Sequence, residues 1–392
     1  MSSDLIGGLA EQLRGREKKN LFRRRLALEG PQDVQVSIGG HEYLAFCSND
    51  YLGLANHPQL IAAACEGARR YGVGAGASHL ISGHSSVHHA LEEALASFTG
   101  FPRALLFSTG YMANAGVAAA LVGRTGEIFG DKLNHASLND AVLVSRARFS
   151  RYQHGDLGGL ERRLAESNAR LKLVLTDAVF SMDGDIVPVV SLLELCEKYN
   201  AWLMLDDAHG FGVLGPRGQG ILTHLNVQSP RIIYMATLGK AAGVFGAFVA
   251  AQPEIIETLI QKAKTYIYTT AAPPLLSHVL LESLKLIEND QWRRKKLTEL
   301  CMALKQEVQS LRWKLLPSIT PIQPLVIGGN DQALKISAAL RERGILVPAI
   351  RPPTVPQGTA RLRISLSASH QLEDVARLGE ALRELDRSTR VA

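Results

Sequence analysis

The sequence predicts an α/β fold: a mostly parallel β-sheet covered by helices on both faces, followed by a smaller α/β domain. Between residues 57 and 250, apolar runs of strand length alternate with helical patterns. Runs that are apolar on both faces are typical of a parallel sheet buried between helices. The chain has 392 residues, 46% hydrophobic and 20% charged, and this composition excludes disordered, collagen-like and disulfide-framework proteins.

The first 55 residues are predicted to form an N-terminal helix and a β-hairpin. Residues 11–25 are basic and compatible with a helix, and residues 34–38 and 41–46 flank the turn Gly39-Gly40. The basic stretch could bind nucleic acid, but a solvated helix face is favoured because glutamates interrupt the charge and no aromatic residues interleave with it. No secretory signal is expected, since no basic stretch precedes an apolar run.

Residues 56–285 are predicted to form the large domain and residues 286–392 the C-terminal α/β domain. In the large domain, the predicted strands are Ala104–Ser108, Glu127–Phe129, Leu171–Leu175, Ala201–Leu205, Ile232–Ala236 and Ala247–Ala250, and the predicted helices are His57–Tyr71, Val87–Phe98, Val190–Tyr199 and Pro253–Ala263. A helical stretch continues to about Leu311, followed by strands near 322–327 and 361–366 and a closing helix from Gln371.

The composition also bears on location and partners. The four cysteines lie far apart, without metal-binding spacing, so we expect reduced thiols in a cytoplasmic protein. The net charge of +6 favours an anionic partner without identifying it. Residues 232–251 are long enough to cross a bilayer, but Lys240 near their middle and three glycines favour two buried strands around a functional lysine.

Chemically distinctive residues follow several of the predicted strands, at the sheet edge where open α/β folds bind ligands. Lys240 follows one apolar run, and an amine in a hydrophobic pocket has a lowered pKa and acts as a nucleophile. Asp206, Asp207 and His209 end another run, where a buried carboxylate requires a cationic partner. The sequence alone does not choose between the two aspartates.

Two further strands add an anion site and an aromatic ring. The turn at Gly110, before a predicted helix, offers free backbone N–H groups to a phosphate. His135 follows the next strand and could stack on a flat ring. An amine, a carboxylate, an anion site and histidines together match pyridoxal 5′-phosphate.

A metal site is the alternative for one further pair of residues. His84 and His88 lie four residues apart in a predicted helix. No glutamate follows His84 as it does in zinc proteases, and no carboxylate ligand is evident. The sequence therefore predicts no metal.

The chain resembles the α-oxoamine synthases, which are fold-type I pyridoxal-phosphate-dependent transferases. The resemblance covers residues 23–370. It is carried by the motifs at 48–54, 180–185, 206–210, 237–240, 268–274 and 349–363. The last of these is the most discriminating and is typical of the biotin-biosynthesis branch.

The resemblance implies decarboxylative condensation of L-alanine with a pimeloyl thioester, carried by coenzyme A or an acyl carrier protein, in a cytoplasmic homodimer. It implies a Schiff base on Lys240, pairing of Asp206 with the ring nitrogen, and stacking of His135 on the ring. The other cofactor contacts that it implies are His209, Ser181, Gly110, Tyr111, Thr237 and, from the neighbouring subunit, Thr270. For the substrates, it implies that Arg363 binds the carboxylate of the amino acid, with Asn49 nearby, and that His135 contacts the thioester carbonyl. It implies that Arg23, Thr354 and Arg351 serve the acyl chain.

Two departures from the family pattern concern the shape of the pocket. Asp177 stands where relatives carry glutamate, and Ala241-Ala242 follow the lysine where glycine is frequent. Other members of the family use other amino acids and acyl chains, so 2-amino-3-ketobutyrate CoA ligase, 5-aminolevulinate synthase and serine palmitoyltransferase are the alternative activities.

Overall fold

The computed structural model describes residues 5–391, so residues 1–4 and 392 of the first and last predicted segments lie outside the described residues. The helices are α1 Leu5–Lys18, α2 Pro58–Tyr71, α3 Ser86–Thr99, α4 Gly110–Leu121, α5 Ala136–Ser145, α6 Leu157–Glu166, α7 Val189–Lys198, α8 Ile221–His224, α9 Pro253–Lys262, α10 Lys264–Ile267, α11 Pro274–Asn289, α12 Gln291–Val308, α13 Asn330–Glu342 and α14 Leu372–Val391. The strands are β1 Gln35–Ile38, β2 His41–Ala45, β3 Arg103–Phe107, β4 Glu127–Asp131, β5 Arg148–Tyr152, β6 Lys172–Asp177, β7 Trp202–Asp206, β8 Ile232–Thr237, β9 Ala247–Ala251, β10 Lys314–Leu315, β11 Ile322–Gly328, β12 Ile345–Leu346, β13 Ala349–Ile350 and β14 Ala360–Ser365.

The central sheet has seven strands in the order β3-β9-β8-β7-β6-β4-β5. Only β9 runs against its two neighbours, while the pairs from β8 to β5 are parallel. Six strands therefore end at the same edge of the sheet. The predicted strands of this region are confirmed, and the edge strand β5 was missed because its sequence, RFSRY, is mostly polar and only partly buried.

Helices cover both faces of this sheet, as predicted. Along β7, Leu203 and Leu205 pack on one face and Met204 on the other. The first face packs against α2, α3 and α7, and the second against α4, α5 and α9. Each fully buried leucine of these layers stabilises the fold by about 1.5–3 kcal/mol relative to an exposed one.

The C-terminal part contains a four-stranded antiparallel sheet in the order β10-β11-β14-β13. The predicted hairpin β1-β2 is confirmed, and β12 pairs with β2 in parallel, so the N-terminal hairpin and the C-terminal segment share a three-stranded sheet. This pairing was not predicted. The domain boundaries at residues 55 and 285 stay predictions.

Three helix predictions need correction. The basic helix ends at Lys18 rather than continuing to residue 25, because Asn20 adopts a left-handed conformation with φ 54°. The long stretch after Pro274 is two helices that meet at Asp290. His84 and His88 do not share a helix, because Ser85 caps the start of α3 and its backbone N–H donates to Nδ1 of His88.

Within residues 5–391, no helix combines the length and the apolar character needed to cross a membrane.

Candidate active site

The topology brings the predicted site residues to the carboxyl edge of the central sheet. Because β3, β4, β6, β7 and β8 all end there, the residues that follow them meet across neighbouring strands. In sheet order they are Gly110 and Tyr111 after β3, Thr237 and Lys240 from β8, Asp206 and His209 from β7, Ser181 after β6, and His135 after β4.

Lys240 is paired with a histidine at this edge. Its Nζ lies 2.9 Å from Nε2 of His209, and Nδ1 of His209 lies 2.7 Å from the hydroxyl of Tyr51. Burial lowers the pKa of Lys240 to about 8. Burial, together with the nearby ammonium group, holds the pKa of His209 well below its ordinary value. A neutral histidine therefore faces an amine that loses its proton easily.

The same hydrogen-bonded chain continues to an arginine of the C-terminal sheet. The Tyr51 hydroxyl donates to Oδ1 of Asn49 at 3.1 Å. Oδ1 of Asn49 also accepts hydrogen bonds from both terminal nitrogens of Arg363, at 3.2 and 3.3 Å. Nε of Arg363 donates to the backbone oxygen of Ser181 at 2.6 Å. Arg363 is only 6% exposed, so the fold holds a buried guanidinium that is linked to Lys240 through three residues of this chain.

The two consecutive aspartates differ in their partners. Asp206 accepts the side-chain amide of Asn114 at 2.8 Å and the backbone N–H of Ala208 at 3.1 Å. Asp207 accepts the hydroxyl of Tyr234 and the backbone N–H of Ile221, each at 2.8 Å. Asp207 therefore connects β8 with the start of α8 in the interior of the protein. Asp206 is the aspartate that remains available to the site.

His135 is held by its backbone and by a serine. Its N–H donates to Oδ2 of Asp177 at 2.7 Å, and its Nδ1 lies 2.7 Å from the hydroxyl of Ser137. The amide of Asn114 also donates to that hydroxyl, which connects His135 with Asp206. Burial lowers the pKa of His135 and raises that of Asp177 well above its ordinary value. Asp177, the departure noted above, therefore orients the histidine loop.

The start of α4 offers an anion site. Thr109 caps the helix, its hydroxyl accepting the N–H of Met112 at 3.1 Å. The first-turn N–H groups of Gly110 and Tyr111 have no intrahelical acceptor, as at every helix start. The side chain of Tyr111 donates to Asp140 at 2.6 Å and is half exposed. Thr237, at the end of β8, donates to the backbone oxygen of Gly246 at 3.0 Å.

The residues predicted for the acyl substrate lie farther out. Arg23 is exposed in the segment after α1. Arg351 donates to the backbone oxygen of Asn20, which brings its loop next to that segment. The exposed Thr354 closes a turn with Arg351, its N–H donating to the arginine's backbone oxygen at 3.1 Å. Thr270 is also exposed on the protomer.

Ion pairs hold the loops of the site in place. His154, just after β5, lies 3.1 Å from Oδ2 of Asp131 and 3.0 Å from Oδ2 of Asp185. Its hydrogen bonds to these carboxylates raise its pKa to about 10, so it is cationic near neutral pH. Because Asp131 ends β4 and Asp185 follows Ser181, the imidazolium joins the loops of His135 and Ser181.

Three residues of this site were not given roles by the sequence analysis: Tyr51, Asn114 and His154. Asn114 is the most conspicuous, because it is the polar residue of a helix otherwise rich in alanine and glycine, and it is fully buried. A buried amide needs polar partners. That signal could have placed Asn114 in the site, whereas nothing local marks Tyr51 or His154.

The residues present fit pyridoxal phosphate. Asp206 is 5% exposed, and both of its hydrogen-bond donors in the described part of the chain are uncharged. A protonated ring nitrogen would supply the missing cationic partner. Lys240 provides the amine for the aldehyde, and the start of α4 provides N–H donors for the phosphate.

Comparisons with known proteins agree with this arrangement. Residues 41–382 match the family model described as "Aminotransferase class I and II". The chain is 72% identical over 380 residues to the 8-amino-7-oxononanoate synthase of Nitrosospira multiformis, covering 97% of this chain and 96% of that protein. The chain belongs to the 8-amino-7-oxononanoate synthase family.

Two solved structures show the same family architecture. The 8-amino-7-oxononanoate synthase of Francisella tularensis has a TM-score of 0.77 and 30% identity, covering 89% of this chain and 98% of that one. A serine palmitoyltransferase from S. paucimobilis, solved with bound PLP-myriocin aldimine, has a TM-score of 0.92 and 26% identity, covering 99% and 100%. Membership in the 8-amino-7-oxononanoate synthase family confirms the predicted fold-type I architecture and the family resemblance.

Proposed function

We propose that this chain catalyses the pyridoxal-phosphate-dependent condensation of L-alanine with a pimeloyl thioester, yielding 8-amino-7-oxononanoate, carbon dioxide and free thiol in biotin biosynthesis. The observation that carries this proposal is the hydrogen-bonded chain from Lys240 through His209, Tyr51 and Asn49 to Arg363. It connects the amine and a guanidinium that could bind a carboxylate through successive hydrogen bonds. The high identity to curated members of the family supports the same reaction.

Bound pyridoxal phosphate supplies an electron sink for negative charge at the α-carbon of the amino acid. Lys240 would hold this group at rest and, as a free amine with a lowered pKa, would take the α-proton. His209 would accept a hydrogen bond from the same amine and fix its direction. Asp206 would keep the ring nitrogen protonated, because its buried carboxylate is stabilised by a cationic partner.

The other side chains would bind and orient the substrates. The planar guanidinium of Arg363 suits the carboxylate of alanine, which would replace Asn49 as the acceptor of its terminal N–H groups and leave Asn49 beside it. His135 would stack on the cofactor ring and donate a hydrogen bond to the thioester oxygen as negative charge develops there. Ser181, Gly110, Tyr111 and Thr237 would complete the cofactor contacts.

The acyl chain carries a free carboxylate at its far end and needs a cation there. Arg351 and the segment that contains Arg23 are joined by the hydrogen bond from Arg351 to Asn20. We propose that Arg351 and Arg23 bind the carboxylate of the pimeloyl group, with Thr354 in the turn that Arg351 begins. The exposed positive charge also suits an acidic carrier protein as the donor of the acyl group.

We propose that the active form is a homodimer. Val73, Ile81 and Tyr268 are 78–80% exposed on the protomer. The N–H of Ala271 donates to the backbone oxygen of Ala77, which joins the loops that carry these side chains. Such an apolar patch favours a protein partner, and Thr270 within it would reach the phosphate of the neighbouring subunit.

All four cysteines are free thiols, which suits a cytoplasmic location.

Product analysis tests the reaction directly. Purified holoenzyme is incubated with isotopically labelled L-alanine and pimeloyl thioester, and the products are identified by mass spectrometry. We expect labelled 8-amino-7-oxononanoate. If glycine or serine with acetyl, succinyl or palmitoyl thioester were turned over and the pimeloyl pair were not, one of the related activities would replace this proposal.

A further inference from the structure

Three histidines meet away from the catalytic edge, at the start of α3. His79 lies in a π-helical turn, His79–Gly83, while His84 and His88 flank the helix cap. Their ring centroids are 5.1–5.6 Å apart. One nitrogen from each ring lies within 4.8 Å of the other two. This histidine cluster has no part in the proposed reaction.

Two of the three nitrogens are spaced as ligands of one ion. Nδ1 of His79 and Nδ1 of His84 are 3.0 Å apart. At least one of these nitrogens must carry a lone pair, since two N–H groups would repel each other at this distance. Bonds of about 2.0–2.1 Å from one metal to two imidazoles bring their nitrogens to about this separation.

The third histidine makes, with its second nitrogen, the outward hydrogen bond that metal-ligating histidines usually make. Nε2 of His88 donates to the backbone oxygen of Ala272 at 2.8 Å, which leaves the lone pair on Nδ1. That nitrogen accepts the N–H of Ser85 at 3.0 Å, a hydrogen bond that a metal bond would replace. His79 is further fixed by stacking on Tyr266, with centroids 4.9 Å apart and planes within 9°.

The surroundings favour access by a cation. His79 and His88 are buried, whereas His84 is exposed on the protomer. His84 also groups with His89 and Glu92, which brings a carboxylate oxygen within 4.8 Å of a nitrogen of His84. Neutral imidazoles with a nearby carboxylate are ligands that suit zinc and similar divalent ions.

We propose that His79, His84 and His88 form a structural binding site for a divalent transition metal of the zinc class. The ion would join the π-helical turn to the cap of α3. Through the bond from His88 to Ala272, it would also steady the segment that carries Thr270. Local sequence spacing does not place His79 beside the other two histidines, because this turn joins them.

The test measures metal binding by the dimeric, cofactor-loaded protein without an affinity tag. After treatment with a chelator, Zn²⁺ is titrated by calorimetry, and Co²⁺ serves as a spectroscopic probe. We expect one Zn²⁺ per chain. His84→Asn should weaken binding by about a hundredfold or more, whereas His224→Asn, at an exposed histidine of α8, should leave it unchanged.

Several outcomes would overturn the site. They are the absence of stoichiometric Zn²⁺, equal affinity in the wild type and the His84→Asn variant, or a Co²⁺ spectrum with thiolate ligation. A metal-induced change of the cofactor absorbance that persists in His84→Asn would assign the ion to the cofactor instead. Thermal unfolding and cofactor content of each variant show whether it is folded, and His79→Asn provides a second variant from the buried side of the cluster.

Discussion

The inner and outer parts of the proposed substrate path are built differently. The inner part, from Lys240 to Arg363, is buried or partly buried, and its hydrogen bonds connect the central sheet with the C-terminal sheet. The outer part, around Arg23 and Thr354, is exposed and lies on segments outside helices and strands. The fold thus preorganises the groups proposed for the amino-acid chemistry, whereas the groups proposed to select the acyl chain lie on loops, which tolerate change.

The largest expected effect is at the inner end. Lys240→Ala removes the amine that would take the α-proton, so we expect kcat to fall by about 10²–10⁴-fold. Steady-state kinetics with alanine and pimeloyl thioester measure the loss, and borohydride reduction with peptide mapping identifies the residue that carries the cofactor.

The matched control for this variant is Lys262→Ala, an exposed lysine of α9. It should keep the wild-type rate and cofactor content. Recovery of the pyridoxyl group on a lysine other than Lys240 in the wild type would contradict the proposed role.

Arg363→Lys addresses the guanidinium of the inner part. Lysine keeps the charge but loses the forked geometry. A lost hydrogen bond to a charged group costs about 1.5–3 kcal/mol, which corresponds to a rise of about 10- to 100-fold in KM for alanine. The KM for the thioester should stay within a factor of about two, and Arg341→Lys, at an exposed site on α13, should change neither. Equal changes for both substrates would argue against a specific carboxylate site.

Substitutions in the outer part should change the KM for the thioester rather than the KM for alanine, and by a smaller factor. Arg351→Ala and Arg23→Ala should each raise KM for the pimeloyl thioester about two- to fivefold, because solvent-screened ion pairs contribute about 0.2–1 kcal/mol. Spectral titration with alanine should be unchanged. Arg16→Ala, on the exposed helix α1, is the control for general loss of positive charge. Unaltered acyl kinetics in both variants would remove these arginines from the substrate path.

The same contrast explains what the sequence could predict. Strand positions followed from local apolar runs, and the carboxyl edge followed from their parallel order, so Lys240, Asp206 and His135 could be placed together. The pairing of β12 with β2 joins segments about three hundred residues apart, and no local periodicity indicates it. The roles given to individual site residues stay predictions.

Residues that act through tertiary neighbours were beyond the reach of pattern analysis. Tyr51 belongs to a recognised motif, but its position between His209 and Asn49 depends on three separate parts of the chain. Asp177 shows the converse. Its identity departs from the family pattern, and its carboxylate accepts the N–H of His135, so the departure falls on a residue that orients the site.

His154 provides the last and smallest test, because it joins two loops of the inner part without touching a substrate group. Its pKa is raised to about 10 by Asp131 and Asp185, and a base whose pKa is raised by folding stabilises the folded state at low pH. This stabilisation is complete below the unfolded value of about 6.5 and is lost as pH rises through about 10. His154→Gln should therefore lower the free energy of unfolding by about 1–2 kcal/mol at pH 8 and by much less at pH 10.5. Urea unfolding of both proteins at the two pH values measures the difference, with His224→Gln as the exposed control. A deficit independent of pH would mean that His154 contributes by packing against Phe180 rather than by its charge.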